Sequence, residues 1–141
     1  MSRGLGDVYK RQLPKKAKPV RQGTAYWMER GGAVWLVKRP GKGMLGGMRA
    51  LPDDGWTGSA SGDRAAPVPG KWHECGSVRH VFTHFTLELD VLASAGEPAF
   101  DSTENGEWWP IDRLEEAGLP TLFARAAALA IANRFEPFMP D

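Results

Sequence analysis

Residues 77–91 read SVRHVFTHFTLELDV. Apolar and polar residues alternate through the stretch: Val81, Phe85, Leu87, Leu89 and Val91 fall on one face, and His80, His84, Thr86, Glu88 and Asp90 on the other. A period of two marks a half-buried strand, so the spacing predicts a strand over 78–92. Phe82 falls on the polar face between two histidines. A ring in that place is either covered by another part of the fold or left open to a partner. Taken alone it reads as a ring covered by the segment 53–70.

Outward from this strand the chain alternates strand signals with glycine-rich connections. AYWMER and AVWLVKR flank Gly31 and Gly32, the two-residue connection that a tight hairpin prefers, so residues 25–39 are expected to form one. PGKGMLGGMRALP follows as a loop, and DDGWTGSASGDRAAPVPG (53–70) reads as a long surface excursion. Downstream, GEWWPI is expected to be a strand. Asp112 with Glu115 three residues on suggests a capped short helix ended by Gly118. A second helix is expected from Pro120 to about Arg134, with Leu122, Phe123, Ala126, Ala127, Leu129 and Ala130 on its apolar stripe. Strands early and helices late argue for an α+β domain with a mixed, largely antiparallel sheet packed with helices.

Charge is divided along the chain. Residues 1–49 carry 12 Lys/Arg against 2 Asp/Glu, whereas residues 50–141 carry 6 against 15. A basic front half suggests a polyanionic partner. Residues 1–22 hold Lys10, Arg11, Lys15, Lys16, Lys18 and Arg21 among Pro14 and Pro19 without apolar periodicity, and read as a basic linker or flexible arm ahead of a domain over 23–141. Apolar runs fall far short of the roughly 20 residues that span a bilayer, so a cytoplasmic protein without a membrane partner is expected. Cys75 is the single cysteine, which excludes an internal disulfide, a four-cysteine zinc site and a cysteine-held iron-sulfur cluster within this chain.

Several catalytic motifs fail on their context. Gly41, Gly43 and Gly46 match a dinucleotide loop, but Pro52 leaves no room for the helix that such a loop must open. His73 and Glu74 begin a zinc-protease pattern whose fifth position is Ser77, and His73, His80 and His84 have no carboxylate at ligand spacing. No metal site and no cofactor are therefore expected. Ser59, Ser61 and Ser77 lack a nucleophile elbow. Glu115-Glu116-Ala117-Gly118-Leu119 imitates the end of a Nudix box, the paired-glutamate helix that holds magnesium against a pyrophosphate. Ile111 and Asp112 stand where that box wants Arg-Glu, so the two glutamates read as first-turn helix acids.

Four blocks in order, LPKKAKP, KRPGKGMLGGMRALP, GSVRHVFTHFTLELDV and GEWWPIDRLEEAGLPTLFARAAALA, resemble the carboxy-terminal domain of MutY-type adenine DNA glycosylases over residues 13–132. The resemblance implies a degenerate Nudix-like fold. It also implies a non-catalytic role in a DNA-repair enzyme: checking, in duplex DNA, that the base opposite adenine is 8-oxoguanine. The family's glycosylase domain, with its catalytic carboxylates and iron-sulfur cluster, should precede LPKK and would be this domain's partner; alone the chain is expected to be inactive. Residues 1–12 match nothing expected upstream in that family and read as foreign to the native gene. A bacterial, nucleoid-associated location is implied.

The same resemblance gives Phe82, Thr83 and His84 the family's aromatic-hydroxyl-histidine pattern, with Phe82 as the wedge beside the lesion. Serine is the expected residue where Thr83 stands; the hydroxyl is kept and a methyl added. His84 would hold the loop or meet the backbone. Arg79, Lys42, Arg39 and the linker lysines are expected phosphate contacts, while Trp27, Trp35, Trp108 and Trp109 are expected to pack the core or its edges. Two rivals stand beside this reading: a divergent Nudix hydrolase of oxidised nucleotides, and a protein-interaction module using the 53–70 segment.

Overall fold

The computed structural model describes residues 18–41, 45–95 and 106–135. Lys42, Gly43 and the linker before Lys18 lie outside them. The described residues begin with β1 (Val20–Trp27), then β2 (Glu29–Arg30) and β3 (Ala33–Lys38). Between β2 and β3 Gly31 and Gly32 take φ of 56° and 80°, the two left-handed positions that a type I′ connection requires and that side chains resist. The expected hairpin therefore forms. A second reversal after β3 is tied by Arg39 N to Met48 O (3.0 Å) and Gly47 N to Arg39 O (2.9 Å) and leads into β4 (Arg49–Ala50).

β5 (Trp72–Val81) and β6 (Thr86–Ser94) form an antiparallel hairpin in which Val81 faces Thr86. This corrects the single strand expected over 78–92. Phe82 N donates to Phe85 O at 2.8 Å and the chain turns through residues 82–85. The inward phase changes across that turn. Val78 is buried in β5, Val81 is 59% exposed, and Phe85, Leu87, Leu89 and Val91 are buried beyond it. Val81 and Thr86 thus exchange the faces that continuous alternation had given them.

β1 runs parallel to β6, from Val20 beside Thr86 to Trp27 beside Ala93, giving a sheet in the order β1-β6-β5. β7 (Gly106–Pro110) pairs antiparallel with β3, Trp35 opposite Trp108, in a second sheet that also holds β2 and β4. A 3₁₀ helix (Ile111–Ala117) follows, then α1 (Thr121–Asn133). The 3₁₀ helix starts at Pro110 without a side-chain cap, so the expected Asp112 cap is not made, but it stops as expected at Gly118 in the left-handed region. α1 buries Leu122, Phe123, Ala126, Ala127 and Ala130 against the first sheet; with Trp27, Leu36, Phe85, Leu87, Leu89 and Val91 they form the main core. Among the described residues no helix is long and apolar enough to cross a membrane.

The segment 53–70 is more than a surface excursion. Tyr26 N donates to Pro52 O (2.9 Å), Asp54 N to Thr24 O (3.2 Å) and Gly62 N to Gln22 O (2.8 Å), so this stretch covers the outer edge of β1, whose N–H and C=O groups would otherwise stand open. Trp56 from the same segment is 1% exposed and belongs to the main core. Residues 23–27 of β1 are consequently buried on both faces.

Candidate nucleic-acid interface

The turn of the β5–β6 hairpin is built from side chains of opposite fate. Phe85 is buried, Phe82 is half-buried, and Thr83 and His84 are exposed. The Phe82 ring stacks on Phe85 with centroids 4.7 Å apart and planes 19° from parallel, meets the His80 ring edge-on at 4.7 Å, and lies 6.2 Å from Trp56. Offset stacking of this kind fixes the ring's tilt as well as burying its inner side. Lys18 Nζ donates to Phe82 O at 3.0 Å, satisfying a carbonyl that the short turn leaves open.

Facing this turn is a second one from the 53–70 segment. Thr57 N donates to Ala60 O (2.9 Å), Ala60 N to Thr57 O (3.4 Å), and Ser59 N to Thr57 Oγ1 (3.1 Å). Arg21 Nε donates to Gly58 O at 3.1 Å. Gly58 and Ser59 on one side, and Phe82, Thr83, His84 and Phe85 on the other, enclose an open concavity of about 480 Å³. Phe82, Thr83 and His84, named together from the sequence, thus line one cleft. Gly58, Ser59, Trp56 and Arg21 complete or support it and were not assigned to it; the only sequence signal was a tryptophan isolated among small polar residues, which such a segment does not need unless it is anchored.

The cations predicted beside the site are placed differently from one another. Arg79 extends from β5, pairs with Glu88 and keeps a side chain 60% exposed; its carbonyl accepts from Arg125 Nη1 at 3.1 Å. Arg39 pairs with Asp53 and lies over the rings of Trp56 (4.7 Å) and Phe123 (5.9 Å), with a side chain only 13% exposed. It is thereby engaged within the fold. Lys42 lies outside the described residues.

Glu115 and Glu116 are exposed on the 3₁₀ helix, and among the described residues no three His, Cys, Asp or Glu side chains converge to hold a metal ion. A magnesium ion bound through paired glutamates needs further oxygen donors around it, and no such cluster gathers around Glu115 and Glu116 among the described residues. What the cleft offers instead is an aromatic face, exposed hydroxyls and nearby cations.

Residues 23–129 match the NUDIX domain. The chain belongs to the NUDIX domain family. Comparison with curated proteins gives no match. Among solved structures, the C-terminal domain of mouse MUTYH in complex with human PCNA superposes with a TM-score of 0.63 at 19% identity, covering 85% of this chain and 93% of that one. MutT protein from Methanosarcina mazei Go1 gives 0.61 at 19% identity, covering 83% and 97%. The MutT NUDIX hydrolase from Burkholderia pseudomallei gives 0.57 at 19%, covering 79% and 98%. At these identities the likeness is one of fold: a Nudix α+β architecture with mixed sheets and two helices.

Proposed function

We propose that this NUDIX domain is the lesion-reading part of an adenine DNA glycosylase, and that it recognises 8-oxoguanine opposite adenine in duplex DNA without catalysing a reaction itself. The observation that carries the reading is the joint placement of Phe82 and Thr83 on an exposed hairpin tip, lining one open cleft. In this reading a separate glycosylase domain cleaves the N-glycosidic bond.

The chemistry follows from the lesion. Guanine presents N7 as an acceptor in the major groove; oxidation turns N7 into an N–H donor and adds an oxygen acceptor at C8. A hydroxyl can accept from one and donate to the other, and a backbone N–H supplies a further donor. Undamaged guanine would leave the N7 partner mismatched, at about 1–3 kcal/mol for a buried unsatisfied group. Phe82 serves as the wedge. Unstacking a base step costs a few kcal/mol, and base–aromatic stacking returns about 1–3 kcal/mol, so the polar contacts decide which base is held.

The MutT likenesses favour a rival, magnesium-dependent hydrolysis of oxidised nucleotides; against it stand Ile111 and Asp112 in the Arg-Glu positions of the box and the lack of a metal-holding cluster among the described residues. Titrating the protein with duplexes containing 8-oxoguanine:adenine or guanine:adenine, alongside an assay of 8-oxo-dGTP hydrolysis with magnesium, separates the two. Tighter binding to the lesion duplex is expected, with no turnover. Turnover would establish the hydrolase, and absence of both would leave a protein-interaction module.

A further inference from the structure

The cleft has two walls, and one short segment at the start of β1 is tied to both. Lys18 Nζ holds Phe82 O in the hairpin wall and Arg21 Nε holds Gly58 O in the other. The second wall is as well supported as the first. Its backbone is closed by the reciprocal bonds between Thr57 and Ala60, and a Cβ on Gly58 would stand 3.2 Å from Phe85 Cε1, so the turn rests directly on the ring beneath Phe82. Ser59 sits at its apex. Its N–H is taken by Thr57 Oγ1, the residue is exposed, and its hydroxyl makes no hydrogen bond among the described residues. A pinned backbone with a free hydroxyl facing a cleft is an arrangement suited to ligand recognition, since little conformational freedom remains to be lost on binding.

We infer that Ser59 is a second polar reader of the base held in this cleft, opposite Thr83, and that Arg21 is a positioning residue that sets the distance between the two walls. The inference rests on the lesion-reading proposal. A purine laid against Phe82 is met from the hairpin side by Thr83 and from the other side by Ser59. Two hydroxyls match a lesion that adds both a donor and an acceptor better than one does. Arg21 acts through the Gly58 carbonyl, so losing it lets the second wall drift without removing any group that touches the base.

The test is the ratio of affinities for 8-oxoguanine:adenine and guanine:adenine duplexes in the wild type, Ser59→Ala, Arg21→Met and Arg21→Lys, with folding checked by circular dichroism. Ser59→Ala is expected to lower the ratio about fivefold, the size of one net hydrogen bond, chiefly through weaker binding of the 8-oxoguanine:adenine duplex. Arg21→Met is expected to lower it as well, and Arg21→Lys to restore part of it, because an ammonium can still donate to Gly58 O. A wild type that prefers the lesion while Ser59→Ala keeps the full ratio would overturn the inference and leave the proposed function standing. Equal weakening towards both duplexes would also overturn it, by making these residues plain backbone contacts. A wild type without lesion preference removes the proposed function and the inference together.

Discussion

Phe82 and Phe85 stack on each other yet differ in burial. Phe85 is 2% exposed within the core, whereas Phe82 is half-buried at its edge. Phe85→Ala should therefore destabilise the fold by about 3–5 kcal/mol, the range for a buried phenylalanine. Phe82→Ala should cost about 1–2 kcal/mol, since much of its area is already in water, but should weaken binding to the lesion duplex by one base–aromatic stack, roughly tenfold to a hundredfold. Urea denaturation and duplex titration on the two variants check both halves; a wedge role fails if Phe82→Ala binds as wild type. Two buried acids contribute to the pH dependence on the alkaline side. Burial, helped by Glu74, pushes the Cys75 thiol up, although a backbone bond from Ala93 opposes it; burial and then the Asp54 carboxylate push the Tyr26 phenol up. In each case the folded protein keeps its proton to a higher pH than the unfolded chain does. The stabilisation is thus complete below the ordinary values of 9.0 and 10.0 and is lost as pH climbs through the raised folded ones. Thermal unfolding should show a stability plateau near neutrality and a fall beginning near pH 9, made shallower in Tyr26→Phe.

At the scale of elements, the segment between β4 and β5 holds its shape through one carboxylate instead of through regular structure. Asp54 is 5% exposed; Oδ1 accepts from Thr24 N (3.0 Å) and Oδ2 from Arg64 N (2.9 Å). A Cβ on Gly62 would fall 1.9 Å from Asp54 Oδ1, so the chain can pass there only without a side chain. Asp54→Ala should destabilise by about 1–3 kcal/mol, because the buried Thr24 N–H loses its acceptor. It should also lower lesion discrimination, since Trp56 and the 57–60 turn hang from the same anchor. Chemical denaturation followed by tryptophan fluorescence measures the first effect and duplex titration the second. The hairpin over 25–39, the 106–110 strand, Gly118 as a stop and the helix after Pro120 were all legible because each carries a local signature: a Gly-Gly turn, paired aromatics, a left-handed residue, an apolar stripe. The turn at 82–85 carries none, having no Gly, Pro, Asn or Asp. Its one trace is the phase slip between Val78 and Phe85, which continuous alternation hid behind Val81. The role of 53–70 was illegible for another reason: its order comes from long-range bonds to β1, and only Trp56 hints at them. Phe82, Thr83 and His84 were grouped through the family resemblance and, being contiguous, fall together on one turn, whereas the wall opposite is brought to them by tertiary structure alone.

At the scale of the molecule, a net charge of +1 conceals a dipole along the chain, with basic residues concentrated before residue 50. Four described cations stand near the cleft. Lys18 and Arg21 come from the basic half and sit on the two walls of the cleft, and Arg79 and Arg125 meet just behind the hairpin tip. Glu88 and Asp90, the acids of β6 on the polar face of the same hairpin, are taken up by Gln22 and Arg79 and by Ser77 and Arg64 respectively. In the proposed complex, engaging them within the sheet would reduce repulsion of an approaching phosphate backbone. If three phosphates are contacted, counterion release gives a slope of about −2.7 for log affinity against log salt, or roughly a 40-fold loss between 50 and 200 mM salt. Arg79→Gln should flatten that slope by about one and weaken all duplexes alike, leaving the preference for 8-oxoguanine intact, because a phosphate contact positions the duplex without reading it. A salt-independent affinity would place the duplex away from Lys18, Arg21, Arg79 and Arg125. An Arg79→Gln variant that lost lesion preference while keeping the slope would move Arg79 from the backbone to the base.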